Sequence, residues 1–129
     1  MIVLFCGDRN WSNFETIKLV LSSFPEDTIV VHGDSRGADK ISGYLAKQRG
    51  LKVIPEPADW TKYGKAAGPI RNQLMLDKYK PTKVIAFHND IKSSKGTKDM
   101  INRAINASIP VILFNDRNRG LAIKTLIEP

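Results

Sequence analysis

The sequence predicts an α/β fold: a small, doubly wound parallel sheet of about five strands, with helices on both faces. Short apolar runs alternate along the chain with longer segments whose apolar residues recur at helical spacing. The short runs are apolar throughout, which is typical of strands buried on both faces of a parallel sheet. Their alternation with amphipathic helices indicates βαβ units. A chain of 129 residues is expected to form one domain, spanning 1–129.

The first half of the chain contains three predicted strands and two predicted helices. A continuous apolar run forms the first strand and ends at Gly7, and the second strand is rich in β-branched residues. The first helix has a stripe of Phe14, Ile17, Leu21 and Phe24, and the second has Ile41, Tyr44 and Leu45 on one face, with Gly50 just past its end. In order, the elements are Ile2–Cys6, Phe14–Phe24, Thr28–Val31, Ala38–Arg49 and Leu51–Ile54.

The second half continues the alternation. A helix with Ile70, Leu74 and Met75 stops before Pro81, and a further helix lies between two apolar strands. These elements are Pro69–Tyr79, Lys83–Phe87, Thr97–Ala107 and Pro110–Phe114. The pattern of Leu121–Ile127 fits either a strand or a short helix.

Composition and charge exclude several classes of protein. No apolar run approaches the length of a membrane-spanning helix, and the apolar N-terminus has the pattern of a strand and not of a signal peptide. The single cysteine, Cys6, cannot form an intrachain disulfide, so we expect a protein of the cytoplasm of the cell that makes it. The net charge of +7 falls entirely within residues 65–129. It favours an anionic partner, although a solvated lysine-rich surface would give the same count.

The loops after the strands are rich in glycine, arginine, serine, threonine and aspartate. In doubly wound sheets, ligands bind outside the carboxyl ends of the strands, at the point where the strand order reverses. Four of the five predicted strands run into such loops, which begin at Gly7, His32, Pro57 and His88. These residue types suit phosphate and ribose groups, so we expect a ligand site there.

Two helix starts carry the strongest local signals. In the segment 33–39, Gly33 and Gly37 allow close backbone approach to an anion, while Ser35 and Arg36 add donors at the start of a helix. The alternative is a tight turn in which Asp39 caps or pairs locally. Gly96 and Thr97 form a second segment of the same type, for which a plain N-cap is the alternative.

Other candidates lie in the same loops. Arg9 follows the first strand, Arg71 lies near a helix start that favours an anion, and the loop tryptophans Trp11 and Trp60 could stack on a base or cover the core. No cysteine or second histidine has ligand spacing to His32 or His88, so we expect no metal site, and we expect no cofactor. Cys6 is predicted to be a core residue.

Together these motifs identify a family resemblance. The segments GDRNW, VHGDSRGAD, PADW, GKAAGPIRNQLM and KGTKDM occur in that order. The chain resembles the YspA / cpYpsA-related branch of the SLOG superfamily, a Rossmann-like group that includes the LOG phosphoribohydrolases and DprA. The resemblance covers nearly all of residues 1–114. It implies a Rossmann-like fold, a nucleotide-type ligand at the carboxyl ends of the strands and, from the LOG relatives, a homo-oligomer.

The resemblance also assigns residues. Gly33, Arg36 and Gly37 match the HGxxRGAD loop; Arg71 and Asn72 match AGPxRN, which resembles the motif of a catalytic arginine in LOG enzymes. Gly96 and Thr97 match the Gly-Thr of the LOG phosphate motif. The LOG glutamate, three residues after that threonine, corresponds to Met100, and Asp99 lies about 100° away around the helix. Lys92, Ser93 and Ser94 replace its Pro-Gly-Gly.

Three functions follow as hypotheses. The favoured one is binding of a nucleotide-derived ligand without turnover, as in a signal sensor or a phage-encoded sponge. The second is a LOG-like nucleoside-5′-phosphate N-ribohydrolase with Asp39, Arg71 or Asp99 in catalysis. The third is DprA-like nucleic-acid binding, for which the sequence lacks a basic stripe with interleaved aromatics. The missing glutamate favours binding, with a small molecule as partner and no membrane. The predicted ligand-binding residues are Gly7, Arg9, Gly33, Ser35, Arg36, Gly37, Asp39, Trp60, Arg71, Asn72, Gly96 and Thr97.

Overall fold

This computed structural model describes residues 1–118 and 121–128 of the chain. The described residues form six strands and five α-helices, joined by loops. The strands are β1 (Ile2–Gly7), β2 (Ile29–His32), β3 (Lys52–Pro55), β4 (Lys83–Phe87), β5 (Val111–Asn118) and β6 (Leu121–Ile127). The helices are α1 (Phe14–Ser22), α2 (Ala38–Gln48), α3 (Trp60–Tyr63), α4 (Ala67–Tyr79) and α5 (Gly96–Asn106). Short 3₁₀ turns cover Gly64–Ala66 and Ile91–Ser93.

The strands form one sheet in the order β3-β2-β1-β4-β5-β6. The first five are parallel, and the strand order reverses between β1 and β4, which pair in the register Leu4 with Val84. The predicted doubly wound α/β fold is therefore confirmed. The C-terminal segment that the sequence left open is a sixth strand, β6, and it pairs antiparallel with β5. The sheet is thus mostly parallel, with an antiparallel edge.

Alternate residues of the strands point into two hydrophobic cores, one on each face of the sheet. Phe5 and Phe87 point into a core that is completed by α1 and α2. Leu4 and Ala86 point into the opposite core, which is completed by α4 and α5. Both faces of β1 and β4 are therefore covered, which explains why their sequences are apolar without alternation.

Four apolar residues that the sequence assigned to helix stripes are exposed: Phe14, Tyr44, Ile70 and Leu74. The exposure of the two residues on α4, Ile70 and Leu74, follows from their angular positions around the helix axis. At 100° per residue, Ile70 lies about 140° and Leu74 about 100° from the buried Met75, so one face cannot bury all three. Tyr44 is likewise about 100° from the buried Leu45, and its hydroxyl accepts a hydrogen bond from Gln48 (2.7 Å).

Among the described residues, no helix combines the length and the apolar character that a membrane crossing requires. The longest, α4, has 13 residues and carries charged side chains.

Candidate functional site

A cleft of about 390 Å³ lies at the carboxyl ends of β1, β2 and β3. We call it the arginine cleft, because three of its lining residues are arginines. Its lining consists of Arg9, Gly33, Asp34, Ser35, Arg36, Pro57, Ala58, Trp60 and Arg71. The carboxylate of Asp34 pairs with Lys40 outside the lining (3.1 Å). The cleft is therefore a cationic concavity with one aromatic wall, which suits an anion attached to a flat group.

A second cleft, of about 560 Å³, lies at the opposite end of the sheet. It opens between the C-terminal ends of α4 and α5 and is lined by Leu76, Asp77, Lys80, Pro81, Ala107 and Ile109. Although this cleft is larger, its lining brings one acid and one lysine together with apolar residues and contains no arginine or aromatic ring. The convergence of polar groups favours the arginine cleft as the functional site.

The loop after β2 is shaped by two glycines and a buried histidine. Gly37 has φ +76°, and a Cβ there would lie 2.4 Å from the carbonyl oxygen of Asp8. The start of α2 therefore packs directly on the loop after β1, where Ala38 N–H donates to the same carbonyl (3.1 Å). The Nδ1 atom of His32 accepts from Asp34 N–H (3.0 Å), which fixes the start of the loop.

Gly7 and Gly37 support the cleft from outside its lining. A Cβ on Gly7 would lie 2.3 Å from Phe87 O and 2.7 Å from Ala38 Cβ, so β1, β4 and α2 can meet only if residue 7 lacks a side chain. Close packing thus explains why glycine occupies both positions. Their predicted contact with a ligand stays a prediction.

Arg9 and Arg36 are the accessible cations of the cleft. Both are exposed, and Arg36 Nη2 donates to Asn10 Oδ1 (3.3 Å). The guanidinium carbon of Arg9 lies 5.8 Å from the ring centroid of Trp60. Asp59 accepts a hydrogen bond from Lys62 N–H (3.0 Å) and so begins the helix that holds Trp60 at the rim. Arginines with so few protein partners remain available to an anion.

Arg71 is held differently. Arg71 is buried, with only 9% of the residue exposed. Its Nη1 donates to the carbonyl oxygens of Gly33 and of Glu56 (3.3 Å to the latter). These two carbonyls belong to the loops after β2 and β3, so Arg71 joins both walls of the cleft. Burial lowers the pKa of Arg71, whereas the charge of Asp39 acts in the opposite direction.

Asp39 lies behind Gly33 and not on the lining. The residue is 5% exposed, and its Oδ2 accepts from Ser35 N–H (3.3 Å). A Cβ on Gly33 would lie 2.5 Å from Arg71 Nη1 and 2.9 Å from Asp39 Oδ2, so glycine alone lets both groups pack against this loop. Burial raises the pKa of Asp39 to about 6, although Arg71, the loop amides and Arg9 favour its ionised form.

The second predicted group lies at the start of α5, outside the arginine cleft. Ser94 Oγ accepts from Thr97 N–H (3.1 Å) and Lys98 N–H (3.4 Å), so these amides of the helix start already have a partner. Thr97 is 6% exposed, whereas Gly96 is exposed. The hydroxyl of Ser94, and not Gly96 or Thr97, therefore satisfies these amides, and the predicted contact of Gly96 and Thr97 with a ligand stays a prediction. Asp99 accepts from Asn72 Nδ2 (3.0 Å) and pairs with Arg103 (2.9 Å).

The structure therefore divides the predicted site into three parts. The lining of the arginine cleft contains Arg9, Gly33, Ser35, Arg36, Trp60 and Arg71. Gly7, Gly37 and Asp39 stand behind it, and Asn72, Gly96, Thr97 and Asp99 form the α5 group. Arg71 and Asn72 connect the first part to the last, because Arg71 Nε donates to Asn72 Oδ1 (3.1 Å).

Several side chains that the sequence left open are core residues. Trp11 is buried with its ring centroid 5.5 Å from that of Phe87, and Met100 is buried in the core beneath α5. Met100, which takes the place of the LOG glutamate, therefore packs on the sheet with this face of α5. Burial raises the pKa of the Cys6 thiol, which fits its predicted place in the core.

Three lining residues were not predicted: Asp34, Pro57 and Ala58. Asp34 lies between the predicted residues Gly33 and Ser35, and Pro57 and Ala58 shortly precede Trp60, so their place in the sequence was the only available signal. Among the described residues, no group of three His, Cys, Asp or Glu side chains is arranged to hold a metal ion.

Comparison with known proteins places the chain in a family. The sequence profile of the YspA, cpYpsA-related SLOG family matches residues 1–63. The Gene 61 protein of Mycobacterium phage D29 is 37% identical over 124 residues, which cover 89% of this chain and 97% of that protein. The chain belongs to this SLOG family. The resemblance inferred from the motifs is thereby confirmed.

The structure of DprA has the same fold. The DNA processing protein A (DprA) of Streptococcus pneumoniae aligns with this SLOG chain at a TM-score of 0.70 and 19% identity, over 86% of this chain and 49% of DprA. This chain thus spans about half the length of DprA. Can2 of Sulfobacillus thermosulfidooxidans, solved in complex with cyclic tetra-adenylate, aligns at a TM-score of 0.49 and 13% identity, over 95% of this chain and 36% of Can2.

Proposed function

We propose that this SLOG protein binds a nucleotide-derived ligand in the arginine cleft and does not turn it over. The observation that carries the proposal is the convergence of three arginines and an exposed tryptophan in one cleft of about 390 Å³, which is built from three strand-end loops and the starts of α3 and α4. This volume lies in the range of ordinary small-molecule sites, about 300–1,000 Å³. The phage relative favours a role in which the protein senses or sequesters a signal nucleotide of the bacterial host.

The phosphate of the ligand is assigned to the side of the cleft formed by the loops after β1 and β2. Arg9 and Arg36 offer guanidinium groups there with few protein partners, and Ser35 offers a hydroxyl. Guanidinium forks match phosphate oxygens in pairs, and each charge-assisted hydrogen bond is stronger than a neutral one. Two or three such contacts make the cleft selective for a dianion.

The base of the ligand is assigned to Trp60. This residue is 49% exposed at the rim, with one side of its ring near Arg9. Stacking of a base on an aromatic ring contributes about 1–3 kcal/mol and tolerates any base. The site therefore recognises a phosphate and a flat ring at a fixed separation, which is the outline of a nucleotide.

A second candidate function, N-ribohydrolase activity, is favoured by Asp39. Its pKa of about 6 would suit a general acid or base near neutral pH. Asp39, however, is nearly fully buried behind Gly33, and Asp99 is engaged by Asn72 and Arg103. Neither carboxylate lines the cleft, so binding without cleavage is the better-supported function.

Chromatography of adenosine monophosphate separates the two candidates. After a long incubation with catalytic amounts of the protein, we expect the nucleotide to be recovered intact. Release of free adenine that an Asp39→Asn variant abolishes would instead establish the hydrolase with Asp39 as its acid. Release that only an Asp99→Asn variant abolishes would assign that role to Asp99.

Native mass spectrometry of protein purified from cells tests the binding itself. We expect an added mass that denaturation releases as an intact, phosphate-containing compound, and we expect the spectra to show the homo-oligomer that the family resemblance implies. Arg36→Ala should weaken binding of that compound by about 1.5–3 kcal/mol in calorimetry, the scale of a hydrogen bond to a charged group.

Lys52→Ala is the matched control, because Lys52 is an exposed cation at the opposite, amino end of β3. Equal affinity of the wild type and Arg36→Ala for the recovered compound would remove Arg36 from the site. Equal losses in Arg36→Ala and Lys52→Ala would show that only net charge matters.

A further inference from the structure

Arg71 begins a hydrogen-bond chain that runs from the arginine cleft to α5. Its Nε–H donates to Asn72 Oδ1 (3.1 Å), and Asn72 Nδ2 donates to Asp99 Oδ2 (3.0 Å) and to the carbonyl of Gly96 (3.5 Å). Arg103 Nε donates to the same Asp99 oxygen (2.9 Å). Asn72 is only 5% exposed, so solvent competes little for its amide.

The guanidinium of Arg71 is held by hydrogen bonds at two of its three nitrogens. Nε donates to Asn72, and Nη1 donates to the carbonyls of Gly33 and Glu56. Within residues 1–118 and 121–128, the other terminal nitrogen, Nη2, has no hydrogen-bond partner. Since Arg71 lines the cleft, this nitrogen is the part of the group left for a ligand.

We infer that Asn72 and Asp99 are positioning residues for Arg71, which they orient so that Nη2 presents its two N–H groups to an anion in the arginine cleft. The inference rests on the proposed function, because the anion is the phosphate of the proposed ligand. It gives Asp99 a role that the family resemblance does not assign, since its carboxylate here orients an arginine through an amide.

The residue types fit this role. An asparagine at position 72 offers one oxygen that accepts from Arg71 and one NH₂ that donates to Asp99. Aspartate at that position would meet Asp99 with a like charge, and alanine would remove one hydrogen-bond partner from each of the two neighbours. An arginine side chain loses about 2 kcal/mol of rotamer entropy when it is ordered. Because these hydrogen bonds already order the Arg71 side chain in the free protein, its rotamer entropy is not lost on binding, and this favours the bound state.

Nitrogen-15 NMR of the full chain without ligand tests the positioning directly. The Arg71 Nε–Hε signal is assigned by its absence in Arg71→Lys. We expect its exchange with water to be slow in the wild type and at least about tenfold faster in Asn72→Ala and Asp99→Ala, as the loss of one such hydrogen bond implies. Asp99→Asn keeps an acceptor oxygen and should restore slow exchange.

Gln73→Ala is the matched control, because it removes the acceptor of Arg103 Nη1 (3.1 Å) and leaves the bonds between Arg71, Asn72 and Asp99 in place. It should leave the Arg71 signal unchanged. Exchange that is equally slow in Asp99→Ala and in the wild type overturns the inference. So does equally fast exchange in Asp99→Ala and Gln73→Ala. If Asn72→Ala does not fold, the pair Asp99→Ala and Asp99→Asn carries the test.

Binding of inorganic pyrophosphate, measured by calorimetry, connects the positioning to the ligand. Asp99→Ala should weaken it about tenfold, and it should cause no further loss in an Arg71→Lys background, because both changes act through one guanidinium. A full additional loss in that background overturns the inference. Absence of pyrophosphate binding to the wild type, with the exchange pattern as expected, supports the positioning and contradicts the phosphate subsite of the proposed function.

Discussion

Asp39 and His32 are buried titratable side chains whose pKa values burial moves in opposite directions. The pKa of Asp39 rises from its usual 3.8 to about 6. The pKa of His32 falls from its usual 6.5 to about 4, although the charge of Asp34 acts against the fall. In each case burial disfavours the charged form. Both groups lie beside the loop after β2, so their titration reports on the wall of the arginine cleft.

The two groups should oppose each other in the pH dependence of stability. Between about pH 4 and 6, folded Asp39 keeps a proton that the unfolded chain has released, so its contribution to the free energy of unfolding falls as pH rises. Between about pH 4 and 6.5, the unfolded chain binds a proton that folded His32 excludes, so the contribution of His32 rises with pH. Each contribution is on the order of 3 kcal/mol, and together they nearly cancel.

Single variants should reveal the two opposing contributions when the free energy of unfolding is measured by urea denaturation from pH 4 to 7. In Asp39→Asn, the free energy of unfolding should rise with pH by on the order of 3 kcal/mol, because His32 then acts alone. In His32→Asn, which keeps an acceptor for Asp34 N–H, it should fall with pH over the same range. Identical pH profiles for the wild type and both variants would contradict the assigned pKa shifts.

At the scale of secondary-structure elements, the start of α5 is stabilised by a side chain outside the helix. Ser94 Oγ accepts from the amides of Thr97 and Lys98. Ser94→Ala should lower the free energy of unfolding by about 1 kcal/mol in urea denaturation, as the loss of an N-cap does. Ser94→Asp keeps an acceptor and should retain most of the stability. Unchanged stability in Ser94→Ala would show that solvent replaces the cap without cost.

The elements also show why the sequence predicted the fold better than the site. Strands such as Val3–Phe5 are apolar on both faces, so one pattern reveals both their type and their place in a parallel sheet. Loops after such strands must meet at one edge, which is why Arg9, Gly33 and Trp60 were predicted together. Gly96 and Thr97 satisfy the same rule, yet the hydroxyl of Ser94 already accepts hydrogen bonds from the amides of Thr97 and Lys98. The spacing of residues in the sequence does not show when a neighbouring side chain occupies the amides that a ligand would need.

The α4 residues illustrate a second limit. Arg71 and Asn72 were predicted from their motif, but the carbonyls of Gly33 and Glu56 that hold Arg71 belong to other strand-end loops. Backbone carbonyls have no sequence signature, because every residue has one. The antiparallel pairing of β6 was equally hidden, since it depends on which edge of the sheet remains open.

At the scale of the whole molecule, the net charge of +7 predicts salt-dependent attraction to any polyanion. If the cationic cleft serves a small ligand, binding to DNA or RNA should be weak, indifferent to sequence, and largely lost as salt rises. Electrophoretic mobility shifts over a salt series measure this. Sub-micromolar, sequence-selective binding at physiological salt would favour nucleic acid as the partner and overturn the small-ligand proposal.

An NMR titration tests the central claim most directly, because it locates a ligand without prior choice of site. The titrant is the compound recovered from purified protein, or, where none is recovered, adenosine monophosphate, ADP-ribose and a cyclic nucleotide in turn. We predict the largest shifts at Arg9, at the backbone of residues 33–36 and at the indole N–H of Trp60. Largest shifts at Gly96 to Lys98, or in the cleft at Leu76 and Ile109, would contradict the account, as would no shifts with any of these compounds.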